Sequence, residues 1–513
     1  MPTSDAPPTM TASDTTLRQH AGAIVLAATA LRLVLAASLP LVADEAYYWE
    51  WSRHLAFGYF DHPPVIAWLI AYGTALFGDT TLGVRLFPVL CGAVAAFALM
   101  DVAERLAGAA AARFASLLLA ATPFTVGFVL ATPDAPLLAA LAMTLALLLR
   151  ALDPAASRAA ALGAWVGAGV AIGIAMASKF TAVLLPMAAT LAIIVHPGLR
   201  SQLRRPGPYL AVAVASLVML PVLHWNATHD WIAFRFQLGH GLGSTARGSW
   251  WQRELDLLGG QAALVTPILF VLLLHAIHRA MDPKQEARRF LLAISAVFCL
   301  GFFVYSATRK SVEANWPAIA WLPALALLAA GSSAARSVWE RRAVWLSGAL
   351  TALVLVHVAW PFLPIAPRRD PANRLYGWSA LAAGAERAAE SVGPGRAFLA
   401  ATRYQDAALM AWYGDGRPTV SAINTGGRRN QYDLWPRFTD VAITGASLVL
   451  VLPDTSANPA LIETLRPHFE SAARGDVIAV EHRGQAVAQR RSWTLTSWRG
   501  SWPADPNDPL VRP

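Results

Sequence analysis

The sequence predicts a polytopic α-helical membrane protein, with roughly eleven membrane-spanning helices, amphipathic helices beside the bilayer and a small carboxyl-terminal α/β domain. Three observations carry that expectation. Of the 513 residues, 56% are hydrophobic and only 14% are charged, and the mean hydropathy is +0.45, too apolar for a water-soluble chain of this size. The apolar residues fall in runs of about 20, the length that crosses a bilayer core of ~30 Å as a helix. Beyond Pro361 those runs stop and short alternating segments replace them.

Residues 1–20 are polar and rich in Pro, Ser and Thr, and are expected to be disordered. The apolar run Ala21 to Val42 exceeds the about 7–15 residues of a secretory signal core, so it reads as a retained first span. Further spans are expected near 82–107, 111–131, 135–152, 159–177, 179–196, 208–225, 258–278, 288–306, 313–331 and 343–362, so that 21–362 forms one membrane domain. Several runs are rich in Ala and Gly, as at Gly163–Gly169, which permits close helix approach where lipid supplies no hydrophobic drive between helices. Cys91 and Cys299 lie inside apolar runs and read as packing residues.

Charge sets the orientation. The net charge is +9, but Lys and Arg occur singly or in short clusters between apolar runs, which excludes a nucleic-acid-binding face. With a cytoplasmic amino terminus, the inside connections carry Arg105 and Arg113, Arg150 and Arg158, Arg200, Arg204 and Arg205, then Arg279, Lys284, Arg288 and Arg289, then Arg336, Arg341 and Arg342. The opposite loops, chiefly 43–81 and 226–257, are longer and rich in His, Trp and Asp. An odd number of spans then places the tail outside.

In the tail, 364–369 reads as a linker, and 363–502 as a periplasmic α/β domain. Strands are expected at Arg396–Thr402, Pro418–Ile423, Ser447–Leu452, Val477–His482 and Ala486–Trp498, and helices at Ser379–Ser391, Gln405–Tyr413 and Pro459–Phe469. Residues 503–513 are expected to be a disordered tail.

Polar chemistry gathers on the outer face. The first outside loop holds Asp44-Glu45-Ala46-Tyr47-Tyr48-Trp49 and then Gly58-Tyr59-Phe60-Asp61-His62-Pro63-Pro64, an aromatic density that suits short helices lying in the membrane interface. Acids set beside apolar surface are partly desolvated and become better bases; the competing reading is that Asp44 and Asp61 cap the helices after them. Asp134 sits in the turn Thr132-Pro133-Asp134, again as a site acid or a helix cap. Lys179 follows Ser178 at a helix end, where it either meets a ligand or snorkels toward the interface. Arg309, Lys310, Glu313 and Asn315 share another outside turn. No P-loop, Cys-x-x-Cys, G-x-S-x-G or His-Glu-x-x-His motif is present. Nucleoside triphosphates have no seat, no nucleotide cofactor is expected, and an outward-facing site must draw on a membrane-borne group donor.

The two segments of the first loop resemble the first periplasmic loop of the bacterial type C (GT-C) glycosyltransferases, the superfamily of protein O-mannosyltransferases and lipid A aminoarabinose transferases. The likeness extends through Thr132-Pro133-Asp134, Ser178-Lys179, Glu313-Ala314-Asn315-Trp316-Pro317 and, in the tail, Asn430-Gln431-Tyr432-Asp433-Leu434-Trp435. It implies an inverting enzyme that moves a sugar from a polyprenyl (undecaprenyl-type) monophosphate carrier to a lipid, glycan or protein acceptor. By the same resemblance Asp44 is the general base, Asp61 and Asp134 complete the catalytic acids, and Lys179, Arg309 and Lys310 meet the donor phosphate. Glu45, Tyr48, His62 and Asn315 line the loop and acceptor side. Asp61 and His240 are the candidate ligands of a divalent metal, zinc, manganese or magnesium. His62 stands where aminoarabinose transferases have a lysine, which departs from their phosphate clamp. A transporter or a non-catalytic carrier-lipid-binding protein are the alternatives; the uncharged midplane runs and the absence of an evident repeat speak against transport.

Overall fold

The computed structural model describes residues 12–243, 249–282, 284–332, 336–366, 369–393, 397–424, 428–454 and 458–503. The chain forms two compact units. One comprises Met1–Ser38, Ala56–Gly58 and His62–Leu355; the other comprises Leu39–Leu55, Tyr59–Asp61 and Val356–Pro513. The first outside loop, expected to lie with the membrane domain, is therefore divided, and its acidic helix folds with the tail.

The membrane unit is helical. Among the described residues, seven helices are long and apolar enough to cross a bilayer, and two bent pairs bring the total to nine. The remaining expected spans, 179–196 and 313–331, correspond to the shorter apolar helices Phe180–Val195 and Ala318–Gly331. The first span begins earlier than its apolar run, as Ala12–Ser38. Residues 12–20, expected to be disordered, thus continue a helix that the apolar run nucleates; 1–11 lie outside the described residues.

Proline explains both bends. Ala109–Ala121 and Pro123–Val129 meet at 73°, and Trp250–Val265 and Pro267–Ala280 at 100°, because a proline offers no backbone N–H to the preceding turn and forces that turn to end. The expected span 258–278 is therefore broken rather than straight. Its corner is Thr266, at φ +72°, whose hydroxyl meets that of Ser347 at 2.8 Å. Elsewhere small residues set the helix spacing. A Cβ on Gly169 would stand 2.5 Å from the Ala211 carbonyl oxygen, and one on Gly173 2.6 Å from Val218 Cβ, so helix Arg158–Ser178 meets helix Pro206–Thr228 at a distance that only glycine permits.

The second unit carries a five-stranded mixed sheet. Its strands are β1 (Ala397–Ala401), β2 (Val420–Ala422), β3 (Ser447–Pro453), β4 (Phe469–His482) and β5 (Gln485–Trp498), in the order β2-β1-β3-β5-β4. β1 pairs in parallel with β2 and β3, while β5 runs antiparallel to β3 and β4. β3 is the central strand; Ser447 through Leu452 are buried, as an unbroken run of Leu and Val requires when both faces are covered. β4 starts at Phe469 rather than at the expected Val477. Its first half is largely exposed and polar and contains a register shift between Arg474 and Val477, so hydrophobic alternation does not mark it. Helices Ser379–Glu390, Tyr404–Tyr413 and Asn458–Leu465 stand close to the expected positions. The expected disordered tail lies outside the described residues from 504 on.

Candidate active site

In the sheet-bearing unit, the acidic loop forms helix Ala43–Arg53. Val42 is extended, its N–H donates to Glu45 Oε2 at 3.1 Å, and the Ala46 N–H reaches the Val42 carbonyl at 3.1 Å. Glu45 thus closes the helix start, with its acidic charge at the positive end of the helix dipole. Every residue from Glu45 to Trp51 is buried. The aromatic side chains of this helix pack on protein. Tyr48, assigned to the acceptor side, is buried with its ring 4.9 Å from Trp51.

Tyr47 organises the cluster. Its hydroxyl donates to Asp61 Oδ2 at 2.6 Å and accepts the Gln431 backbone N–H at 2.7 Å. The Gln431 side-chain oxygen accepts the Phe60 N–H at 2.7 Å, so the tail motif and the loop hold each other by two hydrogen bonds, at Tyr47 and at Phe60 beside Asp61. The Tyr47 ring lies 4.5 Å from Tyr404 and 5.9 Å from Tyr432. Arg428 donates to Asp61 Oδ1. Asp61 is only 3% exposed, and both of its oxygens are engaged.

These surroundings fix the ionisation of the groups. Burial pushes the Asp61 carboxyl up from the ordinary carboxylate range, against the pull of Arg428 and the Tyr47 hydrogen bond. Burial raises the Tyr47 phenol well above its usual value and the Tyr404 phenol to about 12, so both remain proton donors at neutral pH and neither serves as a base. Asp44 is different. It is the exposed acid of the first turn, yet the protein packed around it raises its pKa; Arg428 and Arg374 pull the other way, and Glu45 adds to the rise. Water damps the rise because the residue still reaches solvent.

The membrane unit holds a second polar cluster. Asp134 opens helix Asp134–Ala151, Lys179 ends helix Arg158–Ser178, and Lys179 Nζ lies 2.7 Å from Asp134 Oδ1. The Asn315 amide donates to Asp134 Oδ2 at 2.7 Å. The Asn315 turn is itself fixed: Gln261 donates to the Ala314 carbonyl at 2.9 Å and accepts from Trp321 Nε1 at 2.9 Å. Asp134 and Asn315 border a cavity of about 170 Å³ whose other walls include Phe124, Phe128, Leu138 and Leu264. Lys179, expected at the donor phosphate, thus neutralises Asp134. Substituting Lys179→Met and Asp134→Asn singly and together is expected to give a coupling of about 0.5–3 kcal/mol in thermal unfolding; strictly additive losses would show that the two charges do not act on each other.

Of the other expected residues, Arg309 is exposed at its helix end with a nitrogen 3.3 Å from the Tyr305 hydroxyl, and Lys310 follows it, half-buried. His62 is half-buried, its Nδ1 3.5 Å from Gln237 Nε2. The His240 side chain lies outside the described residues. Among the described residues, no three His, Cys, Asp or Glu side chains gather as metal ligands. Asp61 accepts from a hydroxyl on one oxygen and a guanidinium on the other. Sequence reasoning missed Tyr47, Arg374 and Arg428 as site residues. Gln431 was within the motif that carries the resemblance, and Arg428 stands two residues ahead of that motif.

Comparison with known proteins gives matches in both sequence and fold. The profile of the dolichyl-phosphate-mannose-protein mannosyltransferase family matches residues 61–225, a segment that holds Asp61, Asp134 and Lys179. Over 351 residues the chain is 27% identical to the lipid A galacturonosyltransferase RgtD of Rhizobium johnstonii, a match that covers 67% of this chain and 70% of that protein. The fold matches ArnT from Cupriavidus metallidurans, both in the apo state and bound to undecaprenyl phosphate. Each match has a TM-score of 0.63 and 19% identity, and covers 92% of this chain and 97% of that one. The chain is a multi-pass membrane protein that is similar to glycosyltransferases in sequence and shares the fold of ArnT.

Proposed function

We propose that this protein transfers a sugar from a polyprenyl monophosphate carrier to lipid A or a related envelope lipid, on the periplasmic face of the bacterial inner membrane. The observation that carries this reading is Asp44: an exposed acid at the head of an otherwise buried helix, raised in pKa and flanked by the charges of Arg428 and Arg374. In the reaction, Asp44 accepts the proton of the acceptor hydroxyl as its oxygen attacks the anomeric carbon. The bond from that carbon to the phosphate oxygen breaks, and the carrier phosphate leaves with the electron pair, inverting the configuration. Asp134, held by Lys179 and Asn315 beside an apolar cavity, suits a substrate with a polar head and a hydrocarbon chain.

The basic connections from Arg105 to Arg342 support the cytoplasmic placement of that side, and hence a periplasmic Asp44. The names of the relatives agree with a lipid acceptor and a polyprenyl donor: RgtD acts on lipid A, and ArnT was solved with undecaprenyl phosphate. Mass spectrometry of envelope lipids from cells with and without the protein tests the reading. A lipid lighter by one sugar in its absence is the expected result; identical lipid and glycan profiles in both strains would refute it.

A further inference from the structure

We infer that Arg428 is the guanidinium that meets the donor's phosphate, and that Asp61 is the post that holds it beside Asp44. The inference rests on the glycosyl-transfer reading and assigns the anion partner that Lys179, already paired with Asp134, leaves open. Burial separates the two roles. The side chain of Asp61 is 4% exposed, whereas that of Arg428 is 48% exposed. A carboxylate sealed in protein with both oxygens engaged is not offered to a substrate; it fixes its partner's position, while about half of the guanidinium side chain it holds remains exposed to solvent.

The frame around the pair is rigid. Asp61 is locked from its other oxygen by the Tyr47 hydroxyl, and Gln431 ties Tyr47 and Phe60 together. Arg428 also lies over the Tyr404 ring, with its carbon 6.0 Å from the centroid. Tyr47 and Asp44 are three residues apart on one helix and therefore share a face. The hydrogen bonds from Tyr47 through Asp61 to Arg428 hold a positive charge whose pull is felt at Asp44, the general base. Arg374 adds a second, exposed cation to the same surroundings. A departing phosphate gains negative charge as the sugar bond breaks, and a preorganised guanidinium stabilises that charge without reorganising.

The test uses the purified full-length chain and a short-chain polyprenyl monophosphate without sugar as the binding probe, alongside transfer kinetics. Arg428→Ala is expected to weaken probe binding and raise the donor KM by about 10- to 100-fold, the span of a lost hydrogen bond to a charged group. Millimolar guanidinium is expected to restore part of the loss, because the vacated position is half open to solvent. Arg428→Lys, which keeps the charge and protects the fold against an unpaired Asp61, is expected to fall between Arg428→Ala and the native chain. Asp61→Asn is expected to weaken binding without guanidinium rescue. Native-like probe binding by Arg428→Ala, or a fall in kcat at unchanged donor KM, would overturn the assignment. Intact probe binding by the native chain with no glycosylated product would instead overturn the transfer reading.

Discussion

Asp44→Asn is expected to lower turnover by roughly 10²–10⁴ while leaving the fold intact, the loss that follows removal of a general base. Asn is isosteric with Asp and removes only the ionisable group, so the substitution isolates the proton-accepting role. The fold should tolerate it because Asp44 is exposed, whereas its neighbour Glu45 carries the capping contact to Val42. The pH profile supplies a second reading. A base acts only when ionised, so the rate falls as pH drops through its pKa. Burial places that pKa above the ~3.9 of a free aspartate. The acid limb of kcat/KM is therefore expected to lie above the ordinary Asp range and to vanish in Asp44→Asn. Because Arg374 lowers the Asp44 pKa, Arg374→Ala should move that limb to still higher pH. Full turnover in the Asp44→Asn protein, with a native melting curve, would remove Asp44 from the chemistry.

Much of the fold was legible because the bilayer and a buried central strand impose strong patterns. Apolar runs marked the spans, and Leu-Val repetition marked β3, since each must cover its backbone with apolar side chains over a set length. The corners were less legible. Pro123 and Pro267 are visible as residues, but a proline does not state the angle of the bend, and a hydropathy window averages across Thr266. The site was legible in its acids and obscure in their partners. Asp44, Asp134 and Lys179 stand at helix starts or ends, and Asp61 in the bend ahead of helix Val65–Phe77, where the sequence shows them beside turns. The pairings Lys179 to Asp134 and Arg428 to Asp61 link residues 45 and 367 positions apart, a separation that no local periodicity encodes. The aromatic residues of the loop helix suit lipid headgroups and a packed core equally well, and their contacts with Tyr404, Tyr432 and Trp412 are long-range in the same way.

The support of this arrangement reaches deeper into the sheet-bearing unit, where Asp406→Ala is expected to produce the largest loss of stability. Asp406 and Arg490 are both buried and joined by two hydrogen bonds, Nε to Oδ2 at 2.7 Å and Nη2 to Oδ1 at 3.0 Å. Removing one partner leaves a guanidinium buried without its counter-charge, which costs about 3–5 kcal/mol. The pair joins β5 to helix Tyr404–Tyr413, and that helix places Tyr404 against Tyr47, so its loosening reaches the site. Tryptophan fluorescence during thermal unfolding reads the effect, since Trp412 and Trp493 lie in the same unit and are buried. Asp454→Ala provides the control. Asp454 pairs with Arg491 in similar two-bond geometry, but the pair is half-buried rather than sealed, so water reaches a lost partner's place. Its removal should shift the melting temperature far less. Equal shifts for the two variants would mean that burial does not set the strength of these pairs, and a Tyr404 helix that keeps its place without Asp406 would uncouple the sheet from the site.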